Sequence, residues 1–155
     1  MKIFLLTHER EMGRATNTGS IAIKHSNNIV ERILWERVNP NKDILKLIDN
    51  NEALLLYSKG DIAPCKLDDY ENIIIIDSTW QESQKIYNKS PYLKTIPHAT
   101  LKTTHGSKYK LRRNQPEGGL CTIECIIEAL KIKGQHQLAS KLEAEFTQFN
   151  DRFSP

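Results

Sequence analysis

The chain has 155 residues, of which 39% are hydrophobic and 26% are charged, as expected for one globular domain with a hydrophobic core. No apolar stretch approaches the length that spans a membrane, and the first residues become polar too soon for a signal peptide. Cys65, Cys121 and Cys125 form no C-x-x-C pair, so we expect a reduced, cytoplasmic protein without a cysteine zinc site or another metal site.

Strand and helix patterns alternate along the chain. Strands are predicted at residues 2–6, 29–35, 53–57 and 73–76, of which the last two are expected to be buried, and an extended segment is predicted at residues 97–104. Helices are predicted at residues 43–48, 79–87, 121–131 and 136–149. This alternation predicts a single α/β domain, numbered 1–155, with a mainly parallel sheet flanked by helices.

The first polar loop follows the first predicted strand and contains Arg14, Asn17, Thr18 and Gly19. Arg14 could bind a carboxylate or phosphate through two parallel hydrogen bonds, and Gly19 permits a close approach to the backbone. Asn17 and Thr18 offer short-range hydrogen bonds to a ligand. Helix capping explains residues 16–18 about as well.

A second polar cluster follows the four isoleucines at residues 73–76. Asp77, Ser78, Thr79 and Trp80 stand at the carboxyl end of this predicted strand, where open α/β sheets place their ligand crevices. An acid, two hydroxyls and an indole could supply a base, hydrogen bonds and a stacking platform. The structural alternative is that Asp77 or Ser78 caps the helix that begins near Thr79.

A basic segment lies downstream of that cluster. Residues 83–116 contain eight Lys and Arg residues and no Asp or Glu, although the net charge of the chain is only +3. Such a concentration predicts contact with a polyanion such as RNA, and the alternative is a solvated surface. The residues that we expect to contact RNA are Lys85, Lys89, Lys108, Lys110 and Arg113.

The third polar segment combines Arg112 with Gly118, Gly119, Thr122 and Glu124. Two glycines before a helix expose its first amide groups, which makes an anion site. The structural alternatives are that Thr122 is the N-cap of this helix and that Glu124 only interacts with the helix dipole.

The order of these motifs resembles the DTW-domain family. The matching strings are His8-Glu9-x-Glu11 with Thr16-Asn17-Thr18-Gly19, then Asp77-Ser78-Thr79-Trp80, then Leu111-Arg112-x(5)-Gly118-x-x-x-Thr122-Ile123-Glu124. The resemblance implies a fold similar to the SPOUT superfamily, with a C-terminal knot. It also implies transfer of the 3-amino-3-carboxypropyl group of S-adenosylmethionine to a uridine ring nitrogen in tRNA.

The sequence departs from the family pattern at three points. Ser78 stands where glycine is usual, and Cys121 and Cys125 stand where serine and alanine are commoner. The chain begins at the first strand, without the N-terminal cysteines that look like a zinc module in many members. We therefore expect a single DTW domain without that module.

The resemblance implies a role for each motif. Asp77, Thr79 and Trp80 would be catalytic, with Asp77 as the general base and Trp80 stacked on the uracil or adenine, unless Trp80 only packs in the core. The donor would be bound by Arg14, Asn17, Thr18, Gly19, Arg112, Gly118, Gly119, Thr122 and Glu124. Its carboxylate would pair with Arg112 or Arg14, and its ammonium with Glu124 or Glu11.

Two other function classes remain open from the sequence. One is an RNA methyltransferase that uses the same donor in a similar knotted fold, and the other is a non-catalytic RNA-binding module. In each case we expect tRNA or another RNA as the partner, no membrane, and a monomer rather than an oligomer.

Overall fold

Five parallel strands form one sheet in the computed structural model, which describes residues 1–57, 67–101, 106–111 and 120–153. The strands are β1 (Lys2–Thr7), β2 (Val30–Leu34), β3 (Ala53–Leu56), β4 (Asn72–Asp77) and β5 (His98–Ala99). Their order across the sheet is β2-β1-β4-β3-β5, and each neighbouring pair is parallel. The predicted α/β class and parallel sheet are confirmed.

Helices lie on both faces of this sheet. They are α1 (Gly19–His25), α2 (Lys42–Asp49), α3 (Trp80–Asn88), α4 (Pro91–Lys94), α5 (Thr122–Ile132) and α6 (His136–Asp151). Short 3-10 helices occur at Glu9–Glu11 and Leu67–Asp69. Within the residues that the structure describes, no helix is long and apolar enough to cross a membrane.

The isoleucine run of β4 is buried on both faces, as predicted. Ile73 and Ile75 pack in a core that includes α1, α5 and α6, whereas Ile74 and Ile76 pack in a second core that includes α2, α3 and α4. Successive side chains of a strand point to opposite faces, so one uninterrupted apolar run serves both cores.

The carboxyl ends of the two central strands meet at one edge of the sheet. Thr7 of β1 is paired in register with Asp77 of β4, and on its other side with Leu34 of β2. The first polar loop leaves β1 at this edge, and α3 begins there after β4. Two of the three predicted polar segments therefore start at neighbouring points.

Two helices differ from the predictions. Residues 19–25 form α1 and Pro91–Lys94 form α4, and neither helix is among the four predicted from the sequence. Proline is tolerated in the first helical turn, because its missing N–H has no intrahelical partner there. The predicted extended segment is confirmed at His98–Ala99, but residues 102–105 lie outside the described residues.

The predicted C-terminal knot depends on the path of residues 102–105 and 112–119. Both segments lie outside the described residues, so the knot stays a prediction.

Candidate active site

Asp77 is the centre of a buried hydrogen-bond network at the carboxyl edge of the sheet. Its side chain accepts from Thr122 Oγ1 at 2.8 Å, Asn17 Nδ2 at 3.1 Å, Arg32 Nη2 at 3.3 Å and Thr7 Oγ1 at 3.4 Å. Asp77 is only 2% exposed. A buried carboxylate requires such donors, and Arg32 also supplies the opposite charge. The network joins β1, β2, β4, α5 and the first polar loop.

Asn17 joins this network to a second buried carboxylate. Its Nδ2 atom donates to Glu11 Oε2 at 2.9 Å and to Asp77, while its Oδ1 atom accepts from Arg32 Nη2 at 2.6 Å and from the Ser20 amide at 3.0 Å. Because carboxylates only accept and guanidinium groups only donate, these partners fix the orientation of the amide. Asn17 is thus a structural bridge between the side chains of Glu11 and Asp77.

Arg14 lies between two acidic side chains. Its Nη1 atom contacts the Glu11 carboxylate and is 3.7 Å from Glu82 Oε1. Both glutamates are buried, whereas the Arg14 side chain is 40% exposed. Arg14 therefore holds an ion pair at the protein surface and still faces solvent.

Thr79 caps α3. Its hydroxyl accepts from the Glu82 amide at 3.3 Å and donates to Glu82 Oε1 at 2.8 Å. The structural alternative in which Asp77 or Ser78 caps this helix is therefore wrong. The T-x-x-E spacing of a capping box was present in the sequence and could have identified Glu82.

Trp80 lies on the face of the sheet that carries α2, α3 and α4. Its indole is half-buried and stacks on Tyr57, with 6.2 Å between ring centroids. Burial, and to a smaller extent the neighbouring Tyr87, raises the pKa of Tyr57 to about 12. The structure thus gives Trp80 a packing contact, which is the alternative role considered for it.

Gly19 is needed for the position of Asp77. A Cβ atom on Gly19 would lie 2.8 Å from Asp77 Oδ2 and 2.9 Å from Leu5 Cδ1. The close approach that this glycine permits is therefore made by the carboxylate and a core side chain.

Two threonines have partners that the sequence does not suggest. Thr18 Oγ1 accepts from the Ile123 amide at 3.2 Å and so satisfies a free donor at the start of α5. Thr122 is not the N-cap of α5; that position is Cys121, and the Thr122 hydroxyl donates to Asp77 instead.

Glu124 belongs to the capping box of α5. Its carboxylate accepts from the Cys121 amide at 3.0 Å, the Lys108 amide at 2.8 Å and the Ser107 hydroxyl. Burial by itself would raise the pKa of Glu124, but the hydrogen bonds from Cys121, Lys108 and Ser107 together lower it below its ordinary value. These contacts give Glu124 a structural role that goes beyond the helix dipole, because they hold the segment 106–111 against α5.

A cavity of about 370 Å³ opens beside Asp77, a volume suited to a small-molecule ligand. Polar groups from the first loop, the β4–α3 junction and the start of α5 converge on it. Its lining residues are Glu11, Arg14, Thr16, Asn17, Thr18, Asp77, Ser78, Thr79, Gln81, Tyr109, Leu111, Cys121 and Thr122.

The predicted basic residues lie on two elements beside this cavity. Lys85 is exposed on α3, whose first turn lines the cavity, and Lys89 is exposed directly after the last residue of this helix. Lys108 and Lys110 are exposed on the segment 106–111, where Lys110 Nζ is 3.9 Å from Asp151. Four further predicted site residues, Arg112, Arg113, Gly118 and Gly119, lie outside the described residues.

Arg32 and Tyr109 are site residues that the sequence analysis missed. Arg32 carried one signal, since it is a charged residue in the middle of a predicted strand. Tyr109 carried none beyond its place in the basic segment. In the part of the chain that is described, no group of three or more His, Cys, Asp or Glu side chains is arranged to hold a metal ion.

Comparison with known proteins identifies the family. The model of the DTW domain matches residues 1–154, so the chain belongs to the DTW-domain family. A relative from Drosophila melanogaster, named tRNA-uridine aminocarboxypropyltransferase 2, is 30% identical over 94 residues, which are 58% of this chain and 38% of that protein.

A second relative, from Macaca fascicularis, has the same name. It is 37% identical over 60 residues, which are 39% of this chain and 20% of that protein. The matched segments thus span less than half of either relative. No solved structure shows a significant match to the chain.

Proposed function

We propose that this chain transfers the 3-amino-3-carboxypropyl group of S-adenosylmethionine to a uridine ring nitrogen in tRNA. The names of the two relatives and the membership of the DTW-domain family support this reaction. One observation carries it further: Glu11 and Arg14 form an oppositely charged pair in the wall of the cavity beside Asp77. The amino-acid end of the donor carries the two matching charges.

Glu11 and Arg14 would bind that amino-acid end. Arg14 has five N–H donors in a planar fork, and the contacts with Glu11 and Glu82 both involve Nη1. A carboxylate could therefore pair with the guanidinium from the solvent side. The donor's ammonium would pair with Glu11 rather than Glu124, because Glu11 lines the cavity and Glu124 belongs to the capping box of α5.

The charges of the network favour a cationic donor. The network contains three acidic side chains, Glu11, Asp77 and Glu82, and two arginines, Arg14 and Arg32. In S-adenosylmethionine the sulfonium centre makes the adjacent γ-carbon open to attack, and it carries the positive charge that the network attracts. The thioether left after transfer is neutral, so it would be held less firmly.

Asp77 is the proposed general base for the uridine imide. Its hydrogen bonds set a condition on this role. The carboxylate already accepts from four side chains, so it can take a proton only when one donor turns away. Thr122 and Asn17 line the cavity, and a bound uracil would displace one of them. Thr79 would shape the cavity at the start of α3, and Trp80 would position that helix through its packing on Tyr57.

The tRNA backbone would lie along the basic residues that flank the cavity. Lys85 lies on α3 and Lys89 directly follows it, while Lys108 and Lys110 lie on the segment that carries Tyr109. Phosphate contacts of this kind release counterions, so tRNA affinity should fall steeply with salt.

The experiment compares two ligands that differ in the amino-acid end. S-adenosylhomocysteine retains the zwitterion, whereas methylthioadenosine lacks it, and both lack the sulfonium charge. In calorimetric titrations we expect S-adenosylhomocysteine to bind more tightly to the wild type. Arg14→Gln should reduce this difference, because the variant loses the partner of the carboxylate and keeps Glu11 as the partner of the ammonium.

Arg10→Gln is the matched control, since it removes an exposed arginine of the same loop that does not line the cavity. Equal affinity of the wild type for the two ligands would contradict the proposed donor site. An unchanged preference in the Arg14 variant would contradict the role of Arg14.

A further inference from the structure

The segment 106–111 reaches the cavity because α6 holds its backbone. Asn150, in the last turn of α6, is buried and uses both ends of its amide on this segment. Its Oδ1 atom accepts from the Lys110 amide at 2.9 Å, and its Nδ2 atom donates to the Lys108 carbonyl at 2.7 Å. These bonds fix the residues on either side of Tyr109.

Tyr109 then connects α6 to the first polar loop. Its ring packs against Phe146, Phe149 and Phe153, with centroid distances of 6.1, 6.1 and 6.2 Å. Its hydroxyl donates to the Thr16 carbonyl at 2.7 Å, across 93 positions of sequence. One side chain therefore has its ring held by the end of α6 and its hydroxyl bound to the loop that carries the Glu11–Arg14 pair.

We propose that Tyr109 is a positioning residue for the donor. By joining the loop between β1 and α1 to the segment 106–111, it keeps two walls of the cavity at a fixed separation. The proposal rests on the proposed function, because the ligand between those walls is the aminocarboxypropyl donor. Tyr109 acts through the wall that it holds and takes no part in the transfer of the group.

The first test is Tyr109→Phe, which removes the hydroxyl and keeps the ring. Because one hydrogen bond near solvent is lost, the KM for S-adenosylmethionine and the Kd for S-adenosylhomocysteine should rise about two- to fivefold. The kcat at saturating donor should not change, since no group that meets the reacting atoms is lost. Tyr70→Phe is the matched control, because Tyr70 precedes β4 at the opposite edge of the sheet.

A second measurement needs no ligand. Hydrogen–deuterium exchange of the donor-free protein should be faster in Tyr109→Phe than in the wild type over residues 12–18. Exchange at the Lys108 and Lys110 amides should stay slow, because Glu124 and Asn150 still accept from them. If residues 12–18 exchange no faster in Tyr109→Phe than in the wild type, the proposed connection is overturned.

The two measurements separate this proposal from the proposed function. If the wild type fails to bind S-adenosylhomocysteine, the donor site itself is refuted, and exchange still decides whether Tyr109 joins the two walls. If the wild type binds it and Tyr109→Phe binds it equally well, the positioning role is overturned while the proposed function stands.

Discussion

Replacing Gly19 by alanine tests the close packing of this residue against Asp77 and Leu5. The added Cβ atom would lie 2.8 Å from Asp77 Oδ2 and 2.9 Å from Leu5 Cδ1. Attractive contacts between such atoms need about 3.5–4.0 Å. Asp77 is held by Arg32 and Asn17, and Leu5 is fully buried, so neither neighbour can move without breaking other contacts.

Two opposing effects decide the size of the change. Overpacking a core typically costs about 1–3 kcal/mol. Alanine improves helix propensity over glycine by at most about 1 kcal/mol in a helix interior, and by less at the first residue of α1. The steric effect should therefore prevail, and Gly19→Ala should lower the free energy of unfolding by about 1–2 kcal/mol. For a chain of this size that corresponds to a fall in Tm of about 2–8 °C.

Gly13→Ala is the matched control, because no heavy atom lies within 4 Å of a Cβ atom built at Gly13. Urea and thermal denaturation of the two variants give the comparison, and we expect Gly13→Ala to stay within about 0.5 kcal/mol of the wild type. A Gly19 variant as stable as the Gly13 variant would refute the account of Asp77 packing.

Three further predictions concern buried polar groups. Asp77→Asn should lower the free energy of unfolding by roughly 1.5–3 kcal/mol in urea titrations, because it removes the charge opposite the part-buried Arg32. A stability equal to that of the wild type would be inconsistent with the network. The lowered pKa of Glu124 stabilises the native state at neutral pH, and that contribution is lost as pH falls below the ordinary value of 4.5. Glu124→Gln should therefore flatten the dependence of Tm on pH on the acid side, and an unchanged slope would exclude this linkage. Burial, and to a smaller extent the neighbouring Glu124, raises the pKa of the Cys121 thiol. Iodoacetamide should therefore modify the less buried Cys125 before Cys121, as measured by mass spectrometry of the native protein. The reverse order would contradict this prediction.

The sequence predicts the sheet well because its signal is local. The runs in β1 and β4 are short and apolar, which is typical of strands that are covered on both faces. α1 was missed because it has only seven residues and begins at a glycine. Its first turn is held from the preceding loop, where Asn17 Oδ1 accepts from the Ser20 amide, and propensity does not register such a contact.

The site was predictable as far as it lies at the ends of strands. Asp77 and the loop with Arg14 were both found in this way, because the carboxyl edge of a parallel sheet collects polar segments. Arg32 was not found, because its contact with Asp77 depends on β1 lying between β2 and β4 in the sheet. That strand order is a tertiary property. The pairing of Thr122 with Asp77, 45 residues away, is likewise visible only in the folded chain.

We propose that this cavity binds the donor from which an aminocarboxypropyl group is transferred to tRNA. The most direct measurement is mass spectrometry of nucleosides from unmodified tRNA incubated with the protein and S-adenosylmethionine. We expect a uridine that has gained the aminocarboxypropyl mass, with less product from the Arg14→Gln variant. A methylated nucleoside, or no adduct from a folded protein that binds both tRNA and S-adenosylhomocysteine, would contradict this proposal.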